Sequence, residues 1–183
     1  MRVLLPLSLI VLVIYLGFIP FNFKQPFQNR DVLIIYNAML FAVMALLVGA
    51  TPAPRTELAA GQAVWLRRGI LAVAALALII GFYAFAAIVY RTWQGEITPN
   101  RLTFIGWNII NIGILTALLV GQVGAQVAGR RSQVASGGSE GEGDEFAELS
   151  WVQSLYGTYG AAAIAYAVWT LITIVAIPLL YRW

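Results

Sequence analysis

The sequence predicts an all-α fold, a polytopic integral membrane protein built as a bundle of five transmembrane helices. Three observations predict it. Of the 183 residues, 61% are hydrophobic and only 10% are charged, against roughly 45–50% and 25% in a soluble domain. Mean hydropathy is +0.82, which is more apolar surface than one core of this size could hide behind a polar shell. That apolar content is also gathered into five runs, each near the ~20 residues a helix needs to cross a bilayer core of about 30 Å. Backbone groups in hydrocarbon must bond internally, and the polar–apolar alternation of a membrane barrel is missing, so each run should be a helix.

The first run covers residues 3–20 and holds no charge. No small-residue cleavage site follows it; the next residues, FNFKQPF, are bulky and aromatic. It therefore reads as a retained span and not as a removed leader. A connection carrying Lys24, Arg30 and Asp31 leads to the second run, 32–50. The third run is 69–90, the fourth 102–125 and the fifth 159–181. Aromatic residues mark the boundaries: Phe18, Phe21, Phe23 and Phe27 at the first connection, Trp65 and Trp93 around the third run, Trp151 and Trp183 around the fifth. Such rings favour the headgroup level. Trp107 and Trp169 fall inside runs and should pack against neighbours or lipid.

The two longer connections differ. After the second run, TPAP is a helix-breaking turn, and Ala59, Ala63 and Leu66 then recur at helical spacing. A short helix lying on the membrane surface is expected there. Residues 130–145 read as a flexible, acidic, Gly/Ser-rich loop. Beyond it, Phe146, Leu149, Val152 and Leu155 suggest an amphipathic lead into the fifth run. The chain has no internal repeat, so residues 1–183 form one transmembrane domain, and an inverted-repeat transporter gains no support.

Composition also bounds the chemistry. Cysteine and histidine are absent, which leaves no thiol nucleophile, no usual zinc site, no imidazole base and no histidine-held haem. Five of the eight acidic residues, Glu140, Glu142, Asp144, Glu145 and Glu148, fall in or just after the acidic loop without the ligand pattern of a calcium loop. No phosphate-loop or nucleophile-elbow motif occurs. No catalytic set, metal or cofactor is expected, and the chain does not read as an enzyme. The net charge is +3, but its basic residues are scattered, so no nucleic-acid partner is expected. Membrane lipids, and other membrane subunits or a second copy, are the expected partners. With five spans, the N-terminal side carries Arg2, Arg55, Arg67, Arg68, Arg130 and Arg131, and the other side Lys24, Arg30, Arg91, Arg101 and Arg182. That small excess favours a cytoplasmic N-terminus in the cell membrane.

One connection carries a motif, Tyr90-Arg-Thr-Trp-Gln-Gly-Glu-Ile-Thr-Pro-Asn-Arg101. Thr98 followed by Pro99 suits a helix start, and Gly95 would permit the reversal that brings Arg91 near Arg101. Arg91, Glu96 and Arg101 are the expected anchor to lipid or to a partner. The plainest expectation is a helical hairpin whose arginines reach up to phosphate groups. The stretch from about Leu71 to Leu115 resembles uncharacterised bacterial membrane proteins, grouped as a domain of unknown function, that carry Tyr-Arg-x-x-x-Gly-Leu-Thr-x-x-Arg between two spans. The matching positions are Tyr90, Arg91, Gly95, Thr98 and Arg101, with Ile97 in place of leucine and Glu96 inserted before it. The resemblance implies a shared topology and a bacterial membrane. It implies no reaction.

Within the runs, Asn108 and Asn111 lie on neighbouring positions of one helix face, with Asn37 of the second run as the natural partner. They should bond helices together, each bond contributing roughly 0.6–2 kcal/mol; a polar pathway is the alternative. Small residues form a second pattern: Gly113, Ala117 and Gly121 in the fourth run, Gly157, Ala161 and Ala165 in the fifth. Such spacing lets helices approach closely, within the chain or with another subunit. Three function classes follow: a non-catalytic scaffold, accessory or assembly subunit first; a small transporter or channel component using the Asn37/Asn108/Asn111 face second; a lipid-handling enzyme using Arg91 and Arg101 third.

Overall fold

The computed structural model describes residues 4–51, 60–95, 98–135 and 142–180. All regular structure among them is helical. Helix α1 is Leu4–Phe18, followed by a 3₁₀ turn at Pro20–Asn22 and the short α2, Gln25–Gln28. Then come α3 (Arg30–Ala50), α4 (Ala60–Gln94), α5 (Pro99–Ala135) and α6 (Glu142–Leu180). Four of these contain an apolar stretch long enough to cross a membrane: Asp31–Ala50, Val64–Gln94, Pro99–Gly124 and Val152–Leu179.

The first run behaves differently. At 1.5 Å per residue, the 15 residues of α1 reach only about 22 Å, short of a bilayer core. Pro20 has no N–H to continue the ladder, and the chain turns at this point. Leu5–Phe18 and Pro20–Gln28 meet at a 44° bend, and together they would make a fifth crossing.

Local chemistry explains the helix starts. Asn29 accepts the Asp31 N–H at 3.0 Å and caps α3, and Asp31 itself faces the positive end of the helix dipole. At α5 the Thr98 hydroxyl accepts the Arg101 N–H at 3.4 Å, with Pro99 in the first position. Hydroxyls along the spans bond their own helix: Thr92 to the Ile88 carbonyl, Thr158 to Ser154, Thr173 to Trp169. That satisfies them where water is absent.

The hub is α4, which packs against α1, α2, α3 and α5. Its buried face is Ile70, Ala74, Ala77, Ile80, Ala84 and Ile88, where the alanines let neighbouring helices come close. Leu40 and Leu47 of α3 and Leu115 and Leu118 of α5 complete the core. Against the other side of α5 lies α6, through the most extensive helix pairing in the molecule. Its apolar stretch is only 12% buried, against 44% for α4, so α6 is the least covered of the four long apolar helices.

Helices and apolar runs do not coincide. Among the described residues no separate surface helix precedes the third run; α4 starts at Ala60 and continues through Gly69. Likewise α5 persists to Ala135 and α6 begins at Glu142, about three turns beyond their apolar stretches. Of the expected loop at 130–145, residues 136–141 lie outside the described residues, as do residues 52–59 and Glu96.

Candidate functional site

Arg91 sits in the last turn of α4, where a cation complements the helix dipole. Arg101 sits in the first turn of α5, where the dipole opposes a cation. The fold resolves that conflict across the hairpin. The Arg101 Nη1 donates to the Arg91 carbonyl at 3.1 Å, so its guanidinium serves the carbonyl end of α4. Gly95 makes room for this: a Cβ there would meet Arg101 Nη1 at 2.7 Å.

Both arginines line a partly enclosed cavity of about 280 Å³. Leu33, Ile34 and Asn37 of α3 form one wall, Ile88 and Arg91 of α4 another, and Thr98, Asn100, Arg101 and Phe104 the third. Arg91 Nη1 is buried without a hydrogen-bond partner. The described lining holds two guanidinium groups, two carboxamides and a hydroxyl, and no carboxylate. Glu96, grouped with the arginines by sequence, lies outside the described residues.

Below the cavity the polar residues pair across helices. Asn37, Asn108 and Asn111 are all buried. The Asn108 Nδ2 donates to Asn37 Oδ1 at 2.5 Å and to the Phe104 carbonyl at 2.9 Å, while Asn37 Nδ2 donates to the Leu33 carbonyl at 2.9 Å. Asn111 reaches the opposite neighbour: its Oδ1 accepts the Tyr166 hydroxyl of α6. Asn108 Oδ1 and Asn111 Nδ2 have no protein partner. Trp107 meets Phe41 edge-on and Tyr166 at a tilt, with ring centroids 5.1 and 5.2 Å away.

A second polar level lies at the other end of the bundle. Arg67 Nε donates to Gln122 Oε1 at 3.2 Å and its Nη2 to the Gln122 carbonyl at 2.9 Å. Nearby, the Tyr159 hydroxyl donates to the Leu47 carbonyl at 3.2 Å, tying α6 to the end of α3. Arg67 and Arg91 are about 36 Å apart along α4, and Arg101 and Gln122 about 32 Å apart along α5. Those intervals are close to the thickness of a bilayer's hydrocarbon core.

The small residues divide into two groups. Gly121 is packed, since a Cβ there would come 2.5 Å from Ser154 Oγ of α6. Gly113, Ala117, Ala161 and Ala165 line an open apolar groove of about 250 Å³ between α5 and α6. Nothing lies within 4 Å of a Cβ built at Gly113 or at Gly157.

Sequence reasoning missed three contacts. Tyr166 was one aromatic among many, although a hydroxyl in mid-span needs an acceptor. Gln122 continues the face of Asn108, Asn111, Leu115 and Leu118, and that spacing could have marked it. Gly106, outside the small-residue stripe, is where the Trp169 ring of α6 seats, leaving no room for a Cβ; Trp169 Nε1 also donates to the Thr103 carbonyl at 3.4 Å.

These features define a small, all-helical protein with the apolar helices of a multi-pass membrane protein. No protein-family model, curated protein or solved structure matches the chain.

Proposed function

We propose that this chain is a non-catalytic membrane protein, an accessory or assembly subunit of a larger membrane complex. In this reading it crosses a bacterial cell membrane five times, the bent α1–α2 pair making the first crossing, with the N-terminus in the cytoplasm. The supporting observation is how the interior polar groups are used. Asn37, Asn108, Asn111, Tyr166, Arg67 and Gln122 all bond helix to helix within the chain, which commits them to holding the bundle and not to chemistry. The α5–α6 groove suits the reading, because small residues leave space for an apolar helix supplied by a partner subunit or a second copy.

A transport role is the second reading, favoured by the unpartnered amide atoms of Asn108 and Asn111 beneath the cavity. The fully buried layer of Leu40, Leu47, Leu115 and Leu118 beyond them weighs against it.

Purification from native membranes in mild detergent tests the assembly role. A second membrane protein or a second copy should copurify in fixed ratio. Gly113→Leu should abolish that without loss of the protein from the membrane, because the new side chain enters open space in the chain itself. A lone monomer in both cases contradicts the reading.

A further inference from the structure

We propose that the cavity between the adjoining ends of α3, α4 and α5 binds a phosphate group, carried by an anionic lipid or present as the free ion. The inference goes beyond the assembly role and does not depend on it. Arg91 Nη1 carries it: a guanidinium N–H that is buried, borders a 280 Å³ cavity and has no acceptor. Buried donors are nearly always bonded, so such a group marks a place for an acceptor. Arg101 faces the same space and is already oriented by its bond to the Arg91 carbonyl. Two planar guanidinium forks beside one cavity match a tetrahedral oxyanion better than a single point charge would. Thr98, Asn37 and Asn100 add uncharged polar groups.

Position argues for the same ligand. The arginine level lies at the end of the apolar stretches of α4 and α5, which is where lipid phosphates sit. Leu33, Ile34, Ile88 and Phe104, spread over all three walls, supply the apolar lining and would accept the first carbons of a lipid beside its headgroup.

The test uses the full chain in a neutral detergent, with retained ligand measured by native mass spectrometry. The probes are phosphatidic acid, diacylglycerol with the same acyl chains, and inorganic phosphate. Wild type should retain phosphatidic acid over diacylglycerol by about tenfold or more. Arg91→Gln should erase that preference. Ile34→Trp, which narrows the cavity and keeps both arginines, should reduce it as well. Arg68→Gln, an exposed charge at the far end of α4, should leave it intact. Arg101→Lys should weaken it several-fold, because charge is kept and the fork is lost. Displacement of the lipid by inorganic phosphate assigns the site to the ion; resistance to displacement assigns it to the lipid headgroup. Equal retention of the two lipids by wild type with no retained inorganic phosphate, or an unchanged preference in both Arg91→Gln and Ile34→Trp, overturns the proposal. The second outcome would fit a site kept for a partner protein's carboxylate.

Discussion

Asn108 shows how a polar side chain can be held in the interior of an apolar bundle. Its Nδ2 is shared between the Phe104 carbonyl of its own helix and Asn37 Oδ1 of α3, so the amide is bonded whether or not the helices separate slightly. Asn108→Ala should therefore cost about 1–2 kcal/mol, within the range of interhelical bonds in membranes. The double substitution Asn37→Leu with Asn108→Leu should cost less than the sum of the two single changes, because no partner is left stranded. Unfolding in mixed micelles reads both values, and simple additivity would deny the bond. The asparagine pair was legible in the sequence because a carboxamide in an apolar run must find a partner. Its division of labour was not: Asn111 bonds Tyr166 and not Asn37, since the helix turn that separates positions 108 and 111 points them at different neighbours.

At the scale of elements, glycines separate tight from open packing between α5 and α6. Gly106 seats the Trp169 ring, and Gly113 faces an open groove. Gly106→Ala should destabilise the pair by about 1–3 kcal/mol, as overpacking does. Gly113→Ala should be neutral or should stabilise by up to about 1 kcal/mol through helix propensity. Thermal unfolding should show a loss for Gly106→Ala and none for Gly113→Ala, and equal losses would contradict this packing. Hydropathy located the apolar stretches but not the helix ends. It measures how long a chain segment can stay in hydrocarbon, whereas a helix stops only where capping or a breaker stops it. Gly69 alone does not end α4, and α5 continues past Gly124 to Ala135. The first run was expected to end at residue 20, and α1 closes just before Pro20, at Phe18, too short to cross by itself. The Arg91–Arg101 hairpin was legible in Thr98-Pro99 and Gly95. The cavity was not, because its third wall comes from α3, which lies more than fifty residues away in sequence.

For the whole molecule, everything rests on a frame with two polar levels about 32–36 Å apart, Arg91 and Arg101 at one and Arg67 with Gln122 at the other. In the proposed membrane reading, that spacing puts the hairpin cavity at headgroup level and the two polar levels on opposite sides. The chain has no cysteine, so single cysteines can report the frame without background. The direct measurement is labelling of Arg2→Cys, Gln28→Cys, Arg68→Cys and Gln94→Cys by a membrane-impermeant maleimide in sealed, oriented vesicles. Gln28→Cys, at the far end of the bent pair, and Gln94→Cys should label from one side, and Arg2→Cys and Arg68→Cys from the other. Arg2→Cys and Gln28→Cys on the same side would remove the first crossing. Arg68→Cys and Gln94→Cys on the same side would contradict the frame itself.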